Sequence, residues 1–425
     1  MRYPDTYYAA SAIEAPERAT LPGDVSADVC IVGAGIAGLS CALELLEQGK
    51  KVILLEREAV GWGASGRNGG LVSPGWAQGL DALEKKVGLP HTQALYRLSE
   101  QGVEQIERNI ARFDLQGCDL RYGQLRAARF PQAAELKANI AKMQRDYQVE
   151  LDFLEVDEVR QVCKTERYFE GILNRRAFHF HPLNYCLGLA AQIEALGGQI
   201  FERSGVTEVI EQSGQQRVVT ATGSVQCRDV VFCGGGYTGP EIKPLYRAFL
   251  PISTYVVLTE PLGDLAHELI SQRYSICDDR RAADYYRLVE DDRILWGSRI
   301  TTKNEDQVDK LAAILREDIR SVYPVLADVK IERAWSGLMS YAGHRMPIVG
   351  RQRPGIWLCS AFGGHGLNSG SAAGTAVAQG ICDINNDYQL FEPFGCQWNG
   401  GIFGPLAASI TYSYLRMKDR RQEAV

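Results

Sequence analysis

The most regular pattern of apolar and polar positions along this chain lies in residues 28–56. Residues 28–32 are a short apolar run and predict a strand. Gly33-Ala34-Gly35-Ile36-Ala37-Gly38 follows, and Ile36, Leu39, Leu43 and Leu46 then recur at helical spacing as far as Gly49. Residues 51–55 read as a second strand, closed by Glu56. Strand, glycine turn, helix, strand and acid, in that order, predict the phosphate-binding half of a dinucleotide fold. In such a turn Gly33 permits the bend, Gly35 lets backbone N–H groups approach a pyrophosphate, and Gly38 lets the helix pack on the sheet. The helix adds its positive dipole end. Glu56 stands where an acid accepts ribose hydroxyls, which favours NAD or the adenosine end of FAD.

Beyond this unit the periodicity changes repeatedly. Residues 61–70, GWGASGRNGG, hold five glycines in ten. Such a loop lets backbone lie against a large flat ring, although its glycine and serine content would also suit a mobile linker. Trp62, Arg67 and Asn68 among the glycines favour the first reading. Residues 80–147 read as mainly helical, 182–197 as a helix, and 199–202 and 205–211 as strands. A buried strand at 230–232 runs into Cys233-Gly234-Gly235-Gly236-Tyr237. Residues 250–300 suggest a β-meander, with 285–289 and 293–298 as a hairpin about a Glu-Asp-Asp turn. A helix is predicted from Asn304 to Tyr323, and a last strand and helix flank Gly363-Gly364-His365-Gly366-Leu367-Asn368. Leu406, Ile410, Tyr414 and Met417 form one helical stripe before Lys418, Arg420 and Arg421. A packed terminal helix is expected there, with a membrane-surface helix as the alternative.

The resulting expectation is an α/β chain whose cofactor domain is assembled from 24–80, 160–245 and 331–385. A substrate domain is inserted as 81–159 and 246–330, and 386–425 is a C-terminal extension. The length of 425 residues suits two to three domains. A net charge of −6 gives no electrostatic case for nucleic acid or an anionic membrane. No apolar run approaches the roughly 18 residues that span a bilayer, and the N-terminus lacks a secretory pattern. The 11 cysteines are scattered without a C-x-x-C, as expected of core thiols in a reducing compartment. A cytoplasmic protein is expected.

Taken together these segments resemble the D-amino-acid oxidase/glycine oxidase/sarcosine oxidase family of FAD-dependent amine oxidoreductases. The resemblance rests on residues 33–38, Glu56, GASGRNGG at 63–70, HPL at 181–183, CGGGY at 233–237, RMPIVG at 345–350 and GGHGLN at 363–368. YYAAS at 7–11, HPLN at 181–184 and DYYRL at 284–288 look most like the gamma-glutamylputrescine oxidoreductase subgroup. The resemblance implies a Rossmann-like FAD-binding domain with an α+β substrate domain on an antiparallel sheet. It further implies that Gly33, Gly35, Ile36, Ala37, Gly38, Glu56, Arg57 and Val206 hold the ADP half of FAD, with Gly234 nearby. Ala64, Ser65, Arg67, Asn68 and Gly69 would border the flavin, and Gly364, His365, Gly366, Leu367 and Asn368 its pyrimidine edge. Two departures matter. Leu338 aligns with the cysteine that tethers FAD in sarcosine oxidases, so the flavin is expected to be non-covalent. Leu295 aligns with their oxygen-activating lysine and Asn368 ends the GHGFK-like motif, which leaves O2 or another electron acceptor open.

Amine oxidation moves a hydride from the carbon beside nitrogen to the flavin, so the chain needs orientation and a dry pocket more than a strong base. On the predicted hairpin Tyr285 and Arg287 share one face and Tyr286 takes the other. Tyr285 with Arg287 could grip a substrate carboxylate, or Arg287 could merely stack on a half-buried tyrosine. Arg67 is a second candidate anchor. His365 suits either flavin or substrate contact or a structural hydrogen bond. Trp335 and Tyr341 read as core or pocket wall. His179 and His181 lack acidic or cysteine partners at ligand spacing, so no metal is expected. The functions implied are oxidation of a gamma-glutamylputrescine-like amine with imine hydrolysis and H2O2 release, or oxidation of a cyclic or secondary amino acid such as L-pipecolate, sarcosine or glycine. A flavin-binding subunit without its own turnover is the non-enzymatic alternative.

Overall fold

The computed structural model describes residues 2–212, 214–280, 283–302, 305 and 307–423. The apolar run after Asp28 forms the strand Val29–Val32 at the centre of a six-stranded sheet. In order across that sheet lie Ile348–Arg353, Ile356–Ser360, Asp229–Phe232, Val29–Val32, Val52–Leu55 and Gln199–Phe201. All neighbours pair in parallel except the first two, which are antiparallel at the edge. The central strands are buried on both faces, which is why they read as unbroken apolar runs. The helices Ile36–Glu47 and Gly366–Ile381 pack on each other through glycine. A Cβ on Gly374 would lie 2.3 Å from the Ala37 carbonyl oxygen, so only glycine permits this approach.

A nine-stranded, mostly antiparallel sheet forms the second half. It contains the expected hairpin, Tyr285–Val289 with Arg293–Thr301, and the long pair Phe249–Thr259 with Ile331–Ala342. A third sheet of four strands includes Val206–Gln212.

Several boundaries differ from the sequence reading. The strand Arg121–Ala127 interrupts the region expected to be helical, and pairs with Gly171–His179 and Ser275–Asp278. Gly171–His179 and Ile331–Ala342 were expected with the cofactor half, but their hydrogen bonds put them in the nine-stranded sheet. The helix expected from Asn304 spans Val308–Val322; Asn304 itself lies outside the described residues. The terminal helix, Gly404–Gln422, turns its predicted apolar stripe outward: Leu406, Ile410, Tyr414 and Met417 are all exposed. Tyr412, Leu415 and Asp419 face the protein instead, and Glu423 at the helix end pairs with Arg167 and Arg280. Among the described residues no helix is long and apolar enough to cross a membrane, and no group of side chains could hold a metal ion.

Candidate active site

One cavity of about 1190 Å³ runs between the two larger sheets. At one end it is lined by Gly33, Gly35, Ile36, Ala37, Glu56, Arg57 and Val206. The turn there is built by φ of +105° at Gly33, a left-handed value that disfavours side chains. The half-buried Glu56 carboxylate accepts the Ala34 N–H at 2.8 Å and the Glu58 N–H at 2.9 Å. Burial pushes its pKa up, and these two donors push it back. Ser65 Oγ accepts the Ile36 N–H at 3.0 Å, tying the glycine loop to the helix start. Gly38 does not line the cavity; its Cβ would meet the Gly33 carbonyl oxygen at 2.0 Å, so it serves helix packing.

These residues fit a dinucleotide. Gly234 and Gly235 continue the wall opposite Gly33, and nothing lies within 4 Å of where a Gly235 Cβ would be. Beside them Thr238 Oγ1 is buried without a hydrogen-bond partner, although it lines the cavity. A phosphate oxygen supplies the acceptor that such an orphaned hydroxyl lacks.

The middle of the cavity is formed by the glycine loop. Ala64–Gly66 makes one 3-10 turn, and the Asn68 side-chain amide donates to the Ala64 and Ser65 carbonyls at 2.8 and 2.9 Å while its oxygen accepts the Gly70 N–H. Arg67 is buried and lines the cavity. Its Nε donates to the Trp62 carbonyl at 3.0 Å, and its guanidinium lies 4.3 Å from the Trp62 ring centre and 5.4 Å from that of Tyr237. Trp335 Nε1 donates to the Arg67 carbonyl, fixing the loop from the nine-stranded sheet. Trp62 and Tyr237 entered the sequence reading only as parts of the two glycine runs, and Thr238 was not singled out. Gly236 packs directly on Leu338, whose carbonyl oxygen a Cβ would meet at 2.8 Å.

The far wall brings together Tyr285, Met339, Tyr341, Gly364, His365, Gly366, Leu367 and Asn368. Tyr285 lies so close to Gly69 and Gly297 that a Cβ on either would overlap its ring. Tyr341, expected as core or wall, is wall, and its hydroxyl lies 2.8 Å from where a Gly364 Cβ would be. Burial pushes the Tyr285 and Tyr341 phenols up and His365 down, with a hydrogen bond to Asn368 opposing the last shift. Each of these groups is therefore neutral near pH 7, and the desolvated wall favours an uncharged amine over an ammonium.

Arg287 does not belong to this wall. It shares the Tyr285 face, but two residues further along the strand it lies behind the glycine loop and is buried. Its Nε donates to Gly69 O at 2.9 Å, Nη2 to Phe180 O at 3.0 Å and to Tyr8 Oη at 3.1 Å, and Nη1 to His179 Nδ1 at 3.0 Å. With those donors engaged it has no fork to offer a substrate carboxylate, which corrects the expectation from the hairpin. His179 and His181, for their part, are built into separate hydrogen-bond chains through Arg287 and Ser11.

Comparison with known proteins adds to this geometry. The model of the family described as FAD dependent oxidoreductase, DAO, matches residues 28–380. A probable oxidoreductase OrdL of Haemophilus influenzae is 34% identical over 405 residues, covering 93% of this chain and 92% of that protein. The gamma-glutamylputrescine oxidoreductase of Escherichia coli is 34% identical over 394 residues, covering 92% and 91%. Glycine oxidase from Bacillus cereus superposes with a TM-score of 0.71 at 22% identity, covering 86% of this chain and 97% of that one.

Proposed function

Because this chain belongs to the DAO family of FAD-dependent oxidoreductases, we propose that it binds FAD non-covalently and oxidises the C–N bond of a small amine or amino acid. The carrying observation is that a single cavity joins the Gly33–Glu56 end to the Tyr285–Tyr341 wall, with the glycine loop between them. FAD, when bound, supplies the acceptor for a hydride from the carbon beside nitrogen. Gly35, Ser65, Thr238 and Glu56 would hold its phosphates and ribose, and Ala64, Asn68 and Gly69 would border the ring. Tyr285, Met339 and Tyr341 exclude water and press the substrate toward the loop, while Gly364, His365 and Asn368 shape the opposite edge. No side chain has to remove a proton if the amine enters neutral, and the imine that leaves hydrolyses in water. Leu338 at the expected tether position carries no nucleophile.

The preferred substrate is a gamma-glutamylputrescine-like amine, on the 34% identity to the enzyme of that name. An electron acceptor other than O2 is the second reading. Leu295 is buried in the core, Asn368 donates to the Gly75 carbonyl, and the lysine on the cavity wall, Lys142, pairs with Asp81 and Glu84. Anaerobic mixing with gamma-glutamylated amines, sarcosine, glycine and L-pipecolate, followed by flavin absorbance, tests the proposal. Bleaching by one class assigns the substrate; no bleaching by any of them supports a flavin-binding subunit without turnover. Reoxidation of the bleached protein by air, in seconds or in many minutes, separates oxidase from dehydrogenase.

A further inference from the structure

The cavity wall carries six cationic side chains, Arg57, Arg67, Arg126, Lys142, Arg299 and Arg345. Arg57 pairs with Glu58, Lys142 with Asp81 and Glu84, and Arg299 grips Asp318 through two nitrogens. Arg67 is spent on Trp62. Of these six, the guanidinium groups of Arg126 and Arg345 have neither an ion pair nor a hydrogen bond among the described residues.

Arg345 is also held in an unusual way. It sits in the turn after the long strand Ile331–Ala342 with φ of +57°, a left-handed conformation that glycine adopts freely and arginine does not. The turn is pinned on both sides. Arg345 N–H donates to Ala342 O at 2.9 Å, His344 Nε2 to Gly395 O at 3.1 Å, and Met346 N–H to His344 Nδ1 at 3.1 Å. Arg299 of the same wall is also left-handed, at φ +64°, but is tied to Asp318, so the unpaired guanidinium is what sets Arg345 apart. Arg345 is exposed and lines the cavity, and its charge opposes the burial that raises the Tyr341 and Tyr412 phenols.

Its place along the strand sets its reach. Met339 lies against Gly364, its sulfur 3.2 Å from where a Cβ would be. Three residues of strand, about 10 Å, separate Met339 from Ala342, where the turn begins. With the reacting nitrogen near Met339, a carboxylate at the far end of an extended amine would lie nearer Arg345 than one on the carbon beside that nitrogen.

We propose that Arg345 is the anion anchor of the substrate site, selecting amines that carry a carboxylate remote from the oxidised C–N bond. This rests on the amine-oxidation reading above and assigns a residue to the remote carboxylate that a gamma-glutamylated amine carries. The guanidinium supplies a charge-assisted fork for the carboxylate, and Tyr341 lies between that grip and the glycine turn.

Two measurements on the holoprotein test it. The first is calorimetric titration with glutarate, a carboxylate probe that cannot be oxidised. Wild type should bind it, and Arg345→Gln and Arg345→Gly should each weaken binding about tenfold or more. The glycine variant relieves the backbone, so a loss there is not a folding defect; unchanged FAD content and Tm verify this. The second compares mono-N-glutaryl- and mono-N-acetyl-1,4-diaminobutane by anaerobic stopped-flow. Wild type should reduce faster with the glutaryl compound at low concentration, and the ratio should fall toward one in Arg345→Gln. Glutarate binding that is absent from wild type, equal in wild type and Arg345→Gln, or lost in Arg126→Gln instead, overturns the anchor. Glutarate binding that depends on Arg345, with no bleaching by any amine, leaves the anchor standing and sinks the amine-oxidation reading.

Discussion

Oε2 of Glu56 accepts the backbone N–H of Ala34 at 2.8 Å, so the acid that ends the second strand is bonded to the glycine turn that ends the first. A carboxylate has about four lone-pair directions, and two backbone donors leave room for ribose hydroxyls. Glu56→Ala should raise the Kd for FAD by about tenfold to a hundredfold, on the order of 1.5–3 kcal/mol. Fluorescence titration of FAD into deflavinated protein measures it. An unchanged Kd would remove Glu56 from the site. Acid precipitation should leave the yellow colour in the supernatant, as expected of a flavin without a covalent tether.

Gly35 and Gly38 should behave differently when filled. Gly35 has extended backbone, φ −83° and ψ −178°, and a Cβ there meets only the Ser65 hydroxyl within 3 Å. Gly35→Val should therefore fold near the wild-type Tm but lose bound flavin, because the new methyls occupy the phosphate approach. At Gly38 the obstacle is the backbone oxygen of Gly33, which cannot rotate away. Gly38→Ala should cost about 1–3 kcal/mol of stability and lower Tm by several degrees as well. Differential scanning fluorimetry and flavin-to-protein absorbance separate the two; equal flavin content in Gly35→Val and wild type defeats this account of the turn.

Arg287→Lys should act on stability rather than on substrate. One ammonium cannot reach Gly69 O, Phe180 O, Tyr8 Oη and His179 Nδ1 together, and each buried acceptor left bare costs about 1–3 kcal/mol. The variant should melt several degrees lower and hold flavin less tightly, since Gly69 belongs to the loop. Its glutaryl-to-acetyl rate ratio should match wild type. A stable variant with a collapsed ratio would return Arg287 to the substrate site.

Stability should fall on the acid side. Burial, followed by the Arg287 charge, holds His179 and His181 down at about 3 from an ordinary value of 6.5. Because the folded pKa lies below the unfolded one, the stability from each neutral imidazole is complete above pH 6.5. It is lost as pH falls from there toward 3. At pH 5 the loss is on the order of 2 kcal/mol for each. His179 Nε2 donates to the Arg273 carbonyl while Nδ1 accepts from Arg287, so a glutamine amide can stand in for both contacts. Melting curves between pH 5 and 8 should show a shallower acid slope for His179→Gln than for wild type. Identical slopes would mean that this imidazole is not the acid-sensitive group.

The cofactor half was legible because its signals are local. Strand, turn, helix and acid lie within residues 28–56, and their spacing alone puts Gly33, Gly35 and Glu56 on one wall. The substrate half depends on contacts that no short window contains. Period-two spacing correctly gives Tyr285 and Arg287 one face, yet not which of them reaches the cavity; the Phe180 and Gly69 carbonyls decide that. The terminal helix carries an apolar stripe in sequence, but it turns Tyr412, Leu415 and Asp419 inward, and Glu423 at its end pairs with Arg167, 256 residues away. Arg345 was quoted only as part of a motif, because a left-handed φ is invisible in residue identity.

The strand Val29–Val32 pairs in parallel with Asp229–Phe232, and this bears on how the chain is made. A ribosome adding about 5–20 residues per second takes about 10–40 s to travel from the first of these strands to the second. Ile356–Ser360, which covers the other edge of Asp229–Phe232, emerges later still. Through that interval the nascent glycine turn exists without the wall that faces it, and Tyr8 has no Arg287 to meet. The early segment, residues 33–69, still lacks the cavity wall that Thr238 and residues 337–368 supply. Overproduction without matching holdase capacity should therefore fill inclusion bodies with chains whose central strand has one bare edge. Slower translation at low temperature should recover yellow, soluble protein.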